Sequence, residues 1–263
     1  MRILVTNDDG INAPGIKILN QIASELAGPQ GDVWLVAPES EQSGVGHCIN
    51  YINPTRVSKV SSQKIAIQGS PADCVLAGLH YISKKGKPDL ILSGINKGNN
   101  SGENTIYSGT VGAAMEGALQ GIPSIALSQY FGPENITLEN PFEAASQFGV
   151  SLIMDIYKKT NWGDGGYKTF YNVNFPPVQS INVKGTRVVS QGLRNTKFNV
   201  EPAIAPNGRE FLWIKGNRQD IPTEIGTDVH ANLNGYISVT PMTCNLTSYE
   251  LIDDLKKKLE CEK

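Results

Sequence analysis

The sequence predicts an α/β fold: a Rossmann-like, doubly wound, mainly parallel sheet with a β-rich C-terminal extension. Three observations predict it. Five short runs in the first half are apolar at successive positions, as strands covered on both faces must be. Helical patterns separate several of them, which is the alternation of a parallel sheet built from βαβ units. Past about residue 181 the runs become short, β-rich and split by turns, so the alternation stops.

The first run, "RILVTN" (2–7), ends in "NDDG", where every residue is a turn former and the chain leaves the sheet. Pro14, favoured at a first helical position, opens "PGIKILNQIASELA" (14–27). "VWLVAP" (33–38) is the second strand and "KIAIQ" (64–68) the third. A helix from Pro71, "PADCVLAGLHYI", precedes the fourth strand, "LILSGI" (90–95). A further helix starts at Val111, "VGAAMEGALQ", and leads to the fifth strand, "SIALSQ" (124–129). Residues 140–159 carry one more helix, 163–166 ("GDGG") a turn, and 169–177 ("TFYNVNFPP") a strand closed by prolines that cannot extend a ladder. The runs "NVKGTRVVSQ", "EFLWIKGN" and "GYISVTP" suggest hairpins, and "SYELIDDLKKKLE" a surface helix with a basic last turn. Residues 1–180 therefore form a Rossmann-like core and 181–263 a hairpin and helix extension, countable with the core as one domain.

A chain of 263 residues that is 40% hydrophobic suffices for one large α/β domain. Its net charge of −2, with no long basic run, gives no electrostatic support for a nucleic-acid polymer or a membrane surface as partner. Cys48, Cys74, Cys244 and Cys261 form no CxxC pair, which fits reduced thiols in a cytoplasm. The N-terminal residues make a poor secretory signal, and no apolar run reaches the roughly 20 residues that cross a bilayer. A soluble cytoplasmic protein is the expectation.

In open parallel sheets ligands bind beyond the carboxyl ends of the strands. Three loops belong to that edge: "NDDG", "ESEQSGVG" (39–46) and "GINKGNNSG" (94–102). They offer the carboxylates of Asp8 and Asp9, the hydroxyl of Ser43 or Ser40, and the amide oxygen of Asn96. Such an all-oxygen set suits Mg²⁺, Mn²⁺ or Ca²⁺, with Mg²⁺ or Mn²⁺ first, and the scarcity of histidine argues against Zn²⁺. Ser108, Gly109 and Thr110 stand just before a helix of small residues, so backbone N–H groups and two hydroxyls can face a phosphate at its positive end. A cation site beside an anion site is the equipment of phosphate-ester hydrolysis.

Each motif also has a plainer reading. "DDG" alone is most often an exposed turn, "SGT" an N-cap, Asn96 a residue tolerant of left-handed backbone, and Ser43 a hydroxyl serving its own loop. Their common placement on one edge favours a site. A structural role for His47 outweighs that of a proton donor to a leaving oxygen, His80 reads as helix packing, and Glu116 is ambiguous between facing the site and facing out. Neither G-x-G-x-x-G nor a P-loop motif occurs.

The segments "RILVTNDDGINAPGI" (2–16), "VAPESEQSG" (36–44), "GSPADCV" (69–75), "DLILSGIN" (89–96) and "IYSGTVGAAMEG" (106–117), with "GTD" (226–228) and "GYISVTP" (235–241), resemble the SurE family of stationary-phase survival proteins, metal-dependent 5'-nucleotidases. By that resemblance Asp8, Asp9, Ser43 and Asn96 take the positions of the divalent-metal ligands, which selects Ser43 over Ser40. It further implies hydrolysis of nucleoside 5'-monophosphates, with 3'-nucleotides and polyphosphate as additional candidate substrates, and homodimers or homotetramers that exchange C-terminal segments. The loop after Asn96 departs from the family pattern, with Asn99 where Pro or Ala is common and Asn104 where a second acid is. Cys48 replaces a small hydroxyl residue.

The reading is a 5'-nucleotidase with one divalent cation per subunit that activates a water, Asp8 or Asp9 as proton acceptor, and Ser108, Gly109 and Thr110 on the phosphate. Two rivals are a haloacid-dehalogenase-type phosphatase, which uses D-x-D where this chain has adjacent acids, and a non-enzymatic nucleotide-binding or sensing module.

Overall fold

The computed structural model describes residues 1–163, 166–195, 198–216 and 218–260. Strand β1 (Arg2–Thr6) is buried from Ile3 onward, so both its faces need cover. Helix α1 (Pro14–Ala27) begins at its proline and presents Ile16, Leu19, Ile22, Ala23 and Leu26 as one buried stripe. After β2 (Asp32–Pro38), β3 (Val57–Lys59) and β4 (Lys64–Ile67), α2 (Pro71–Ile82) is opened by a reciprocal capping box between Ser70 and Asp73. Strand β5 (Leu90–Lys97) leads through a loop and the single turn α3 (Asn104–Tyr107) into α4 (Gly109–Leu119), then β6 (Ser124–Gln129), α5 (Glu143–Lys159) and β7 (Thr169–Phe175). The last part holds β8 (Thr186–Val188), β9 (Asn199–Ile204), β10 (Glu210–Lys215), α6 (Asp228–Leu233), β11 (Ile237–Thr243) and α7 (Ile252–Leu259).

Among the described residues nine strands form one sheet in the order β3-β4-β2-β1-β5-β6-β7-β11-β8. From β4 to β7 all neighbours run parallel, as predicted. Ile3 and Val5 of β1 face α1 and α5, whereas Leu4 faces α2 with Val36 and Ile67. Val111, Ala114 and Ala118 of α4 pack on Ala126 and Phe170. The chain moves from β1 toward β2 through α1 and from β5 toward β6 through α4. Strand order therefore reverses between β1 and β5, and the crevice at their carboxyl ends lies where Thr6 pairs with Ser93.

The C-terminal part corrects one expectation. Among the described residues only β9 and β10 make a separate hairpin. Strand β11 pairs antiparallel with β7, and β8 pairs parallel with β11, so "NVKGTRVVSQ" and "GYISVTP" extend the main sheet. Ile237 and Val239 give β11 a buried face on the α1–α5 side, which a free hairpin would leave wet. His80 is also corrected: it is exposed, its ring edge-on to Tyr81. Helix α4 begins at Gly109, two residues before the expected start, because Ser108 caps it. The predicted turn at 163–166 falls partly on residues 164–165, outside the described residues, as does Cys261.

Candidate active site

The "NDDG" turn is built locally. Asn7 Nδ2 donates to the Gly10 carbonyl at 2.9 Å, closing the turn so that Asp8 and Asp9 leave the sheet together. Asp8 turns into the protein, where Thr110 N–H donates to Oδ2 at 3.1 Å and Thr110 Oγ1–H to Oδ1 at 2.5 Å. Gly109 makes this approach possible: a Cβ there would lie 2.9 Å from the Asp8 Cβ and 3.0 Å from Pro71 Cγ. Asp9 turns toward β5, and the Lys97 N–H donates to its Oδ2 at 3.1 Å. The neighbouring Asn96 commits its amide nitrogen to the Gly98 carbonyl at 2.9 Å, leaving the oxygen for another partner.

The loop after β2 is pinned to the same turn. Ile11 N–H donates to the Pro38 carbonyl at 2.8 Å, and Gln42 N–H to the Asp8 carbonyl at 2.7 Å. Ser43 follows directly. It is exposed, and its hydroxyl donates to Glu41 Oε1 at 2.8 Å. Asp8, Asp9 and Asn96 thus arise from adjoining strand ends, while Ser43 stands on a tethered loop with its hydroxyl engaged elsewhere. Ser108 Oγ accepts from the Val111 N–H, and Thr110 gives both its donors to Asp8.

Burial pushes the Asp8 carboxyl from its ordinary 3.8 up to about 6, with the Asp9 charge adding, against the pull of the Thr110 hydrogen bonds. Asp9 is raised too, by burial first and by the Glu41 charge. Two adjacent, partly desolvated carboxylates strained in this way are a site short of positive charge. Among the described residues no cluster of three or more His, Cys, Asp or Glu side chains is arranged to hold a metal, so neutral oxygens must complete any coordination sphere. Asn96 and Ser43 are the neutral oxygens that could supply them, and such an all-oxygen set would suit Mg²⁺ or Mn²⁺.

Glu41 is the neighbour that sequence reasoning missed. It holds Ser43, raises Asp9 and, with Asp9 and Lys97, lines a cavity of about 640 Å³ walled by Ile18, Phe131 and Phe142. Its signal in the sequence is its place two residues before Ser43, in the loop that follows β2.

His47 makes a contact that a structural role would use. Its Nε2 lies 2.7 Å from Glu116 Oε2, and this pair, with Gly46 N–H on the Tyr107 carbonyl at 2.9 Å, docks the loop on α3 and α4. Glu116 faces inward, held also by Gln120 at 2.7 Å. The hydrogen bond from His47 is the main cause of a lowered Glu116 pKa. A depressed carboxyl contributes stability above its unfolded pKa, here the ordinary 4.5, and loses it as pH falls through the lower folded value. We expect His47→Gln to cost about 1 kcal/mol in thermal unfolding at pH 7 while kcat stays within about threefold. A loss of about a hundredfold or more in kcat would instead mark His47 as a proton donor.

The family described as survival protein SurE matches residues 3–198. The chain is 58% identical over 263 residues to the 5'-nucleotidase SurE of Jannaschia sp. (strain CCS1), covering 99% of this chain and 100% of that protein. It is 58% identical over 256 residues to the 5'-nucleotidase SurE of Roseobacter denitrificans, covering 97% and 98%. Among solved structures, the SurE protein from Aquifex aeolicus superposes with a TM-score of 0.78 at 38% identity, over 98% of this chain and 99% of that one.

Proposed function

The chain belongs to the survival protein SurE family, and from that premise we propose that it works as a metal-dependent 5'-nucleotidase, a phosphoric monoester hydrolase, through Asp8, Asp9, Ser43 and Asn96. The observation that supports the assignment of residues is their placement: Asp8 and Asp9 follow β1, Asn96 lies at the end of the neighbouring β5, the Lys97 N–H next to Asn96 reaches Asp9, and α4 starts against Asp8. One Mg²⁺ or Mn²⁺ per subunit would be held by these four residues, and such an ion polarises a phosphoryl group and acidifies water.

The chain's own groups do the remaining work. Asp8, with both carboxylate oxygens bonded to Thr110, is the fixed anchor. Asp9 lines the cavity, so it is the better placed acceptor for the proton of the attacking water. The new O–P bond forms as the bond from phosphorus to the 5'-oxygen breaks, and that oxygen leaves as a hydroxyl by taking up the proton that Asp9 accepted from the water, relayed through solvent. Ser108 and Gly109, at the positive end of α4, would face the phosphoryl oxygens as charge builds on them, while Thr110 holds Asp8 and would join them only by exchanging one of those two bonds. The cavity beside Asp9, about 640 Å³ with aromatic walls, suits a nucleoside. The test is phosphate release from AMP. Chelation should abolish it and added Mn²⁺ or Mg²⁺ restore it, whereas tight AMP binding without turnover would favour the sensor.

Two surfaces support a homodimer or homotetramer. Residues of the β9–β10 hairpin are exposed on both faces, Leu212 and Ile214 on one and Trp213, at 64%, with Phe211 on the other. On and just before α7, Leu251, Leu255 and Leu259 form an exposed apolar stripe. A second copy of the chain covers them in this proposal, and Trp213→Glu is expected to lower the molar mass seen by light scattering. Among the described residues no helix is long and apolar enough to cross a membrane. The free, exposed Cys48 fits a reducing cytoplasm.

A further inference from the structure

We propose that Arg194 and Asp228 are positioning residues that clamp the loop joining the cation-binding amide of Asn96 to the phosphate-binding start of α4, and so set the distance between the two subsites. The inference rests on the assignment of those subsites given above. Lys97, residues 98–103 and α3 are the whole connection between Asn96 and Ser108.

Within that connection one peptide unit is gripped at both ends by opposite charges. The Arg194 guanidinium, its side chain 1% exposed, donates from Nη1 to the Ser101 carbonyl at 2.8 Å. The next N–H, that of Gly102, donates to Asp228 Oδ2 at 3.0 Å. Arg194 Nη2 also donates to Asn99 Oδ1 and Ser101 Oγ, both at 2.9 Å. Asp228, fully buried, takes the Gly192 and Val229 N–H groups at 2.8 and 2.7 Å, which locks the carboxylate in place.

The neighbouring backbone groups are held from outside as well. Asn100 N–H donates to Asn174 Oδ1 at 2.7 Å, the Asn100 carbonyl accepts from Asn172 Nδ2 at 2.8 Å, and the Gly102 carbonyl accepts from Gln191 Nε2 at 2.9 Å. Gly102 has φ of 59°, and a Cβ there would lie 2.7 Å from Arg194 Nη1, so the fit admits only glycine. Burying a guanidinium and a carboxylate is costly unless their geometry is well matched. Here both charges are spent on a loop whose two ends are functional, which is how supporting groups hold a site to the sub-ångström tolerance that catalysis requires.

The test uses Arg194→Lys and Asp228→Asn, with Asp8→Asn as control. Mn²⁺ affinity is read from the metal-induced rise in Tm, without turnover, alongside kcat and KM for AMP. A lysine cannot reach all three of the arginine's acceptors at once. Both clamp variants should raise the half-saturating Mn²⁺ concentration about tenfold and lower kcat about ten- to a hundredfold, with a smaller change in KM. Lower Tm with wild-type Mn²⁺ affinity and kcat would overturn the clamp and leave a merely stabilising pair. Should Arg194→Lys fail to fold, Ser101→Ala, which deletes one acceptor, should raise the Mn²⁺ requirement about threefold, and a wild-type value would refute the clamp. An Asp8→Asn control that keeps its metal response overturns the subsites themselves; a lost response in that control beside wild-type clamp variants overturns the clamp alone.

Discussion

Asp8→Asn is expected to lower metal-dependent phosphate release from AMP by about a thousandfold or more in kcat/KM, near 4 kcal/mol of transition-state stabilisation, and to make the metal-free protein more stable above pH 6. An amide preserves the local contacts: its oxygen can accept from the Thr110 N–H while its nitrogen donates to Thr110 Oγ1. What it lacks is the anionic charge that draws a cation. The stability sign follows from the raised carboxyl. Folded Asp8 holds its proton up to about pH 6, whereas the unfolded carboxyl releases it near 3.8. Its contribution is fully present below about pH 3.8, declines as pH rises through about 6, and is then lost. The loss is on the order of 3 kcal/mol, so the variant should melt several degrees above wild type at pH 7.5 and level with it at pH 4. Added Mn²⁺ should raise the wild-type Tm and leave the variant's unchanged. A variant that melts below wild type at pH 7.5 would show that the carboxylate is not strained.

Gly109→Val is expected to have the second largest effect, about a hundredfold in kcat/KM and roughly 2 kcal/mol or more in stability. Its first added carbon meets Asp8 Cβ at 2.9 Å and Pro71 Cγ at 3.0 Å, neither of which is a flexible tip. Either the start of α4 moves away from the acid or the "NDDG" turn moves away from β5, and in both cases the two subsites separate. Gly216→Ala is the matched control, since a Cβ there meets nothing within 4 Å. Equal kinetics for Gly109→Val and the control would remove the close approach of α4 from the account.

Much of this arrangement was legible in the residues because its signals are local. Both Pro14 and Pro71 open helices at the expected residue, and doubly buried strands show as unbroken apolar runs whatever their partners. The acids of "NDDG" could be placed on the ligand edge because a turn sequence follows a strand. What escaped depends on distant partners. Strand β3 is three residues with no apolar face. Pairing of β11 with β7 is chosen by tertiary burial, which a short β-rich run does not encode. Thr110 reads as a phosphate donor from its helix-start position, yet Asp8, remote in the chain, takes both its donors in this structure. Asn99 and Asn104, read as departures from the family pattern with a lost charge, are engaged: Asn99 accepts from Arg194, and Asn104 Nδ2 donates to Gln219 Oε1 at 2.7 Å. Nothing near either residue in sequence announces Arg194.

In the proposed site, three strand-end loops supply oxygen ligands to a common ion. Anomalous scattering from a crystal of the chain grown with Mn²⁺ measures this directly. One strong peak per subunit is expected at roughly 2 Å from carboxylate oxygens of Asp8 and Asp9 and from Asn96 Oδ1, with Ser43 Oγ exchanged from Glu41 to the ion or to water beside it. A fully occupied Mn²⁺ peak remote from Asp8 and Asp9, in crystals that still hydrolyse AMP, would contradict it.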